Sequence, residues 1–263
     1  MTTAVTSPRV SPSQGLRQTA TLAWRTLVQI RHNPWELGDF SFQPILFLLL
    51  FTYVFGGAIK GSTGAYLEFA LPGIIVMNML FVTMYVGLGL NTDLTKGVFD
   101  RLRSLPIARW APLTGRIIAD LVKQAWSILL LLVVGLILGF RIGTNLASVL
   151  AAVALILFVA LAFSWVSVLV GVLARDPEKV QLFGFTALFP VAFVSNVFVP
   201  ESTMPGWLQA VVKANPITIV SDAARGLLVG GPVARPVLLS LLWALALIAI
   251  FAPLSVLRFK RRT

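Results

Sequence analysis

Few side chains in this sequence can do covalent or metal chemistry. There is one histidine, His32, and no cysteine. Thiolate catalysis, disulfide exchange and Cys-based metal ligation are therefore closed to it. His32 has no second histidine with which to hold zinc, and a lone imidazole at a helix end does not assemble a serine hydrolase. An aspartyl intramembrane protease needs two carboxylates at membrane depth. Here Asp93, Asp100 and Asp176 fall in loops, Asp120 lies within a turn or two of one surface, and Asp222 lies on the other side. No G-x-x-x-x-G-K-[ST] segment occurs, and residues 61–68 (GSTGAYLE) offer two glycines without a lysine, so no phosphate cradle is expected. The expectation is a chain with no catalytic residue, no metal site and no cofactor of its own.

Charge is concentrated instead. Residues 91–106, NTDLTKGVFDRLRSLP, hold Lys96, Asp100, Arg101 and Arg103 within eight positions. Val98, Phe99, Leu102 and Leu105 recur at helical spacing, with Gly97 before the turn and Pro106 closing it. A short amphipathic helix between two apolar runs must lie on lipid or dock on another protein. Arg116, Asp120 and Lys123 stack at i, i+4, i+7, a structural way to keep charges paired near lipid, with a contribution to a coupling surface the alternative. Within the apolar runs the polar groups are Asn78, Gln124, Ser164, Ser167, Ser195 and Asn196, suited to helix–helix hydrogen bonds or to cargo contact. Phe185, Phe189 and Phe193 follow i, i+4, i+8 and either line an apolar path or face lipid. Asn78, Phe185, Phe189, Phe193, Ser195 and Asn196 are the path candidates.

The elements that must position these residues are membrane spans. Hydrophobic residues make up 57% of the 263 and charged residues 12%, against about 25% in an ordinary globular domain. The predicted class is an all-α polytopic membrane protein with a single transmembrane domain over 16–258 and no soluble catalytic domain. Six spans are expected, at about 40–58, 67–90, 117–139, 147–173, 181–199 and 236–257. Residues 1–15 read as a disordered tail and 259–263 as a basic cytoplasmic tail. Residues 16–32 read as an interfacial helix with an apolar stripe of Leu16, Ala20, Ala23, Leu27 and Ile30, widened by Trp24 and Val28. Arg25 lies opposite, while Arg17 and Arg31 flank the stripe, where their heads can reach lipid phosphates. Between the last two spans, 200–235 contains two apolar pieces, 206–214 and 217–229, too short to cross. They read as a surface loop on lipid or as re-entrant helices.

Orientation follows from the 21 Lys and Arg residues. Lys60, Arg141, Lys213, Arg225 and Arg235 fall on one side, Lys123 at the inner end of span three, and the remaining fifteen on the other side. The richer side is cytoplasmic and holds both termini. The net charge of +11 is thus a topology signal at the ends of apolar runs, and no nucleic-acid partner is expected.

Three tracts resemble one family. Residues 87–106, GLGLNTDLTKGVFDRLRSLP, are similar to the cytoplasmic segment after span two of type-2 ATP-binding-cassette exporter permeases of the daunorubicin-resistance type. Residues 189–207, FPVAFVSNVFVPESTMPGW, resemble that family's fifth span and outer loop. Residues 214–230, ANPITIVSDAARGLLVG, resemble its Asn-Pro then Asp-x-x-Arg sequence. Where the family often starts the segment with acidic-Gly-Thr, this chain has Lys96-Gly97-Val98, so contacts of that acidic residue do not transfer. The resemblance implies a permease in the bacterial plasma membrane, paired with a second permease chain, identical or different. It also implies two copies of a separate ATPase that carry the ATP and magnesium, docked on Lys96, Gly97, Val98, Phe99, Asp100, Arg101, Leu102, Arg103 and Leu105. The cargo implied is a hydrophobic or amphipathic drug, antibiotic or lipid-like metabolite. Export of a polysaccharide or glycolipid, and an ion-coupled carrier or channel, are the alternatives left open.

Overall fold

A computed structural model describes residues 12–32, 35–98 and 111–262. Among the described residues every regular element is helical. Helix α1 is Pro12–His32 and α2 is Trp35–Leu50. A π-turn, Phe51–Phe55, joins α2 to α3, Gly56–Lys60. Then follow α4, Thr63–Thr95; α5, Ala111–Ile137; and α6, Leu146–Leu173. Helix α7, Pro177–Phe183, runs through a second π-turn, Gly184–Leu188, into α8, Phe189–Phe193. Helices α9, Gly206–Ala214, and α10, Pro216–Leu228, precede the last, α11, Ala234–Arg262.

Five of these are long and apolar enough to cross a membrane: Phe42–Lys60, Thr63–Thr95, Ala111–Ile137, Leu146–Leu173 and Ala234–Phe259. They coincide with five of the expected spans. The remaining one differs from expectation. Residues 177–193 are helical, but 194–199 leave the helix as a series of bends. The tail also ends earlier than expected, because helix α1 begins at Pro12 rather than Leu16. Residues 91–95 of the charged stretch belong to α4. Gly97, at φ +67°, terminates that helix, and the Lys96 and Gly97 N–H groups return to the Thr92 and Leu94 carbonyls.

Helix α4 is the central element. Its apolar residues from Tyr66 to Leu90 are buried on nearly all sides, as expected of a helix hydrophobic all round. Helices α2, α5, α6 and α10 pack around it and α11 packs on α6. The outer faces of α5, α6 and α11 expose large apolar residues such as Leu129, Val133, Leu150, Leu242 and Ile250, the surface a lipid-embedded bundle presents. Helices α4 and α6 approach until backbones touch. A Cβ on Gly87 would overlap the Ser167 carbonyl, and one on Gly171 would overlap the Gly87 carbonyl. Small residues at such a crossing let dispersion contacts accumulate where the hydrophobic effect is silent. Beside it, the Asn91 amide donates to the Gly171 and Ala174 carbonyls at 2.9 and 2.8 Å, covering the orphan end of α6.

Helix α1 lies along α5, and the expected stripe is divided. Gly15, Thr19 and Ala23 are buried against α5, whereas Leu16, Ala20 and Trp24 are exposed. The reason is again close approach: Gly115 on α5 has no Cβ, and one there would stand 3.0 Å from both the Leu22 Cβ and the Thr19 carbonyl. Leu16, Ala20 and Trp24 form a second apolar face between the docked face and exposed Arg17 and Arg25, the arrangement an interfacial helix needs.

Replacing Gly171 by Ala forces the α4–α6 crossing apart and is expected to lower stability by about 2 kcal/mol. Gly57, with open space around its Cβ position, is expected to tolerate Ala with no loss. Thermal unfolding of the two variants in detergent, followed by tryptophan fluorescence, measures the difference. Equal stability would remove Gly171 from the crossing.

Candidate functional site

A cavity of about 100 Å³ opens between α2, α4 and the helical run 177–193. Its wall is built from Gln43, Pro44 and Phe47 of α2, from Ile74, Met77, Asn78, Phe81 and Tyr85 among others of α4, and from Phe185, Phe189 and Phe193. The lining contains no charged side chain. Four of the six path candidates, Asn78, Phe185, Phe189 and Phe193, therefore meet in one place. The π-turn at Gly184–Leu188 widens the helix there, and Gly184 leaves the room that Met84 fills. Asn78 is held by its amide donating to Ser127 Oγ on α5 at 2.8 Å.

The other two candidates, Ser195 and Asn196, are buried beside the helix break and do not line the cavity. They belong to a network that repairs the broken backbone. The Arg225 side chain on α10 reaches across to it. Nε donates to the Phe69 carbonyl at 2.8 Å, Nη2 to the Asn196 carbonyl at 2.6 Å, and Nη1 to Asp222 Oδ1 at 2.9 Å. The Asn196 amide also donates to Asp222 Oδ1 at 2.8 Å. Asn215 donates to the Val191 and Val194 carbonyls, and Tyr66 Oη donates to the Phe198 carbonyl at 3.1 Å. The Arg225 guanidinium also stacks 4.1 Å from the Phe69 ring, while Lys60 approaches the same ring at 4.7 Å. The carbonyls freed by the end of α8 thus find donors from α4 and from the α9–α10 hairpin.

An aromatic ladder joins the break to the cavity. Phe47 stacks toward Phe51 at 6.0 Å, Phe51 on Phe198 at 4.0 Å, Phe198 toward Phe193 at 5.5 Å, and Phe193 on Phe189 at 4.1 Å. Three of the ladder's rings, Phe47, Phe189 and Phe193, belong to the cavity wall. Phe198 carries no periodic signal in the sequence because it follows the break.

At the far end of α4, Arg116, Asp120 and Lys123 form the expected ion-paired stack. Asp93 joins it, a partner that sequence spacing does not show. Of the expected docking residues, Lys96 is exposed just past the end of α4, and Val98 is partly exposed. Phe99, Asp100, Arg101, Leu102, Arg103 and Leu105 lie outside the described residues. Asp176 caps α7, and the Lys179 backbone N–H, then its ammonium, hold the Asp176 carboxyl below the usual carboxylate range.

Comparison with known proteins gives the frame for this geometry. A family model described as ABC-2 type transporter matches residues 17–229. A daunorubicin resistance ABC transporter permease protein of Streptomyces coeruleorubidus is 38% identical over 253 residues, 95% of this chain and 89% of that one. A probable doxorubicin resistance ABC transporter permease protein of Mycobacterium tuberculosis is 27% identical over 218 residues, 81% of this chain and 78% of that one.

Arg225→Met leaves several buried carbonyls without a donor and is expected to cost about 3 kcal/mol or more. Asp222→Asn is expected to cost about 1 kcal/mol or less, since a half-exposed carboxylate contributes little as an ion pair. Denaturant unfolding in detergent compares them, and equal losses would mean that the ion pair, not carbonyl capture, is what Arg225 supplies.

Proposed function

The chain belongs to the ABC-2 type transporter family as a multi-pass membrane permease subunit, and from that premise we propose that it exports a hydrophobic or amphipathic drug-like compound. The observation that carries the cargo reading is the cavity, walled by aromatic rings and free of charge. Such a wall binds apolar surface and planar rings without demanding that a charge be stripped of water. The names of the two relatives, daunorubicin and doxorubicin resistance, point to the same cargo class.

The energy comes from ATP hydrolysed by a separate ABC-type ATPase, present in two copies, with the ATP and magnesium held there and no cofactor bound by this chain. A second permease chain, a copy of this one or a related one, completes the transporter. Residues 96–105 dock the ATPase, with Val98, Phe99, Leu102 and Leu105 entering its groove and Asp100, Arg101 and Arg103 setting orientation. The path runs past Asn78, Phe185, Phe189 and Phe193, while Ser195 and Asn196 act through the helix break.

In this reading the segment 181–199 is the fifth crossing, completed by its bent end, and α9 and α10 are re-entrant. Support for re-entry comes from α10, which is buried against α4, α6 and α11 and capped at both ends. Its first turn is capped by the Asn215 side chain, and its last carbonyls accept from Thr144 Oγ1 and the Gly143 N–H. Both termini are cytoplasmic, as the Lys and Arg distribution indicates. The membrane domain runs from helix α1 to about residue 258.

In inverted membrane vesicles containing this chain and its ATPase, daunorubicin is expected to accumulate only with ATP. Phe189→Ala is expected to reduce that uptake several-fold with unchanged membrane level. ATP-insensitive flux would favour an ion-coupled carrier instead. Because the chain lacks cysteine, Ser62→Cys is expected to label from outside intact cells, and Ser104→Cys only after the inner face is opened. The reverse labelling would invert the topology.

A further inference from the structure

Asp93 and Arg116 face each other across the base of the segment assigned to ATPase docking. Asp93 lies near the end of α4, just before Lys96, and Arg116 lies in the second turn of α5. Arg116 Nη1 donates to Asp93 Oδ2 at 3.1 Å, and its Nε donates to Asp120 Oδ2 at 3.3 Å. Lys123 Nζ stands 3.4 Å from Asp120 Oδ1. Cation and carboxylate alternate, so the deeply buried pair of Asp120 and Lys123 is compensated within the network. The guanidinium occupies the space beside Gly89, where any Cβ would overlap it.

Around these charges the contacts between α4 and α5 are apolar: Val86 and Leu90 against Leu113 and Ile117. Apolar contact is non-directional, and packed helices slide on it at low cost. The ion network is directional and ties one helix to the other at a defined register. Farther along α5 on the same side stands Ser127, the partner of Asn78 in the cavity wall. Asp93 and Asn78 share one uninterrupted helix and stand about 22 Å apart along it.

We propose that Arg116 is a positioning residue for energy coupling: by pairing with Asp93 and Asp120 it clamps the inner ends of α4 and α5 into one lever, so that displacement of residues 96–105 reaches Asn78 and the cavity wall. Without the clamp the displacement is absorbed where the two helices slide past each other. The proposal rests on the transport reading above.

The test uses the full chain with its ATPase in inverted vesicles and daunorubicin as the probe. Three quantities are read: daunorubicin moved per ATP hydrolysed, amount of chain in the membrane, and co-purification of the ATPase. Arg116→Gln is expected to lower the transport-to-hydrolysis ratio on the order of tenfold, with membrane level and ATPase association retained. Asp93→Asn should lower the ratio too, and the double variant should be no worse than Arg116→Gln alone. Gly89→Ala, which keeps both charges but displaces the guanidinium, should lower it as well. An unchanged ratio in Arg116→Gln, losses that multiply in the double variant, or a fall in membrane level at unchanged ratio each overturns the clamp. Absence of ATP-dependent uptake by the unsubstituted chain overturns the transport reading instead.

Discussion

A backbone carbonyl in an apolar surrounding has no water to bond, and this constraint governs the structure around the end of α8. The helical run that begins at Pro177 stops at Phe193, and its last carbonyls would be orphaned. Asn215, Arg225 and Tyr66 supply the donors from other elements. This requirement explains why a guanidinium lies buried among apolar neighbours and why α10 packs tightly on α4. Arg225 brings several N–H donors in a rigid fork, enough to serve carbonyls on two separate segments and Asp222 at once.

Once the break is held, the cavity follows. Bending the chain at 194–199 turns Phe198 back onto Phe51 and closes the ladder that begins at Phe47. The two π-turns lie on either side of this ladder, one in the α2–α3 run and one between α7 and α8. The first holds Phe51 itself, the second comes just before Phe189 and Phe193, and neither ends its helix. The family likeness and the cavity chemistry agree: an apolar, aromatic wall suits an uncharged or amphipathic cargo, and the chain contains no P-loop to power its movement.

Much of this was legible from the residues. Long apolar runs in α4, α5, α6 and α11 announce themselves by length, and Asn215-Pro216 marks the α9–α10 junction by turn chemistry alone. Three of the cavity's five phenylalanines, Phe185, Phe189 and Phe193, were visible as a repeat. Asp93 and Asn91 were not: they sit within a stretch that reads as a charged loop, yet α4 continues through them to Thr95. The face on which α1 docks was not legible either, because small residues carry little hydrophobic signal. The small face of Gly15, Thr19 and Ala23 becomes meaningful only when Gly115 is seen beneath it.

The order of residues alone carries the all-helical membrane class and the places of the five long apolar helices. These are local properties: each depends on a window of neighbours and on transfer to a common apolar medium. Tertiary structure alone decided that Arg225 serves carbonyls at Phe69 and Asn196, that Asp93 meets Arg116, and that Phe51 stacks on Phe198. Those pairings join residues far apart in the chain. They are set by where backbones approach closely and which polar groups lack water, neither of which leaves a periodic trace in the order of the amino acids.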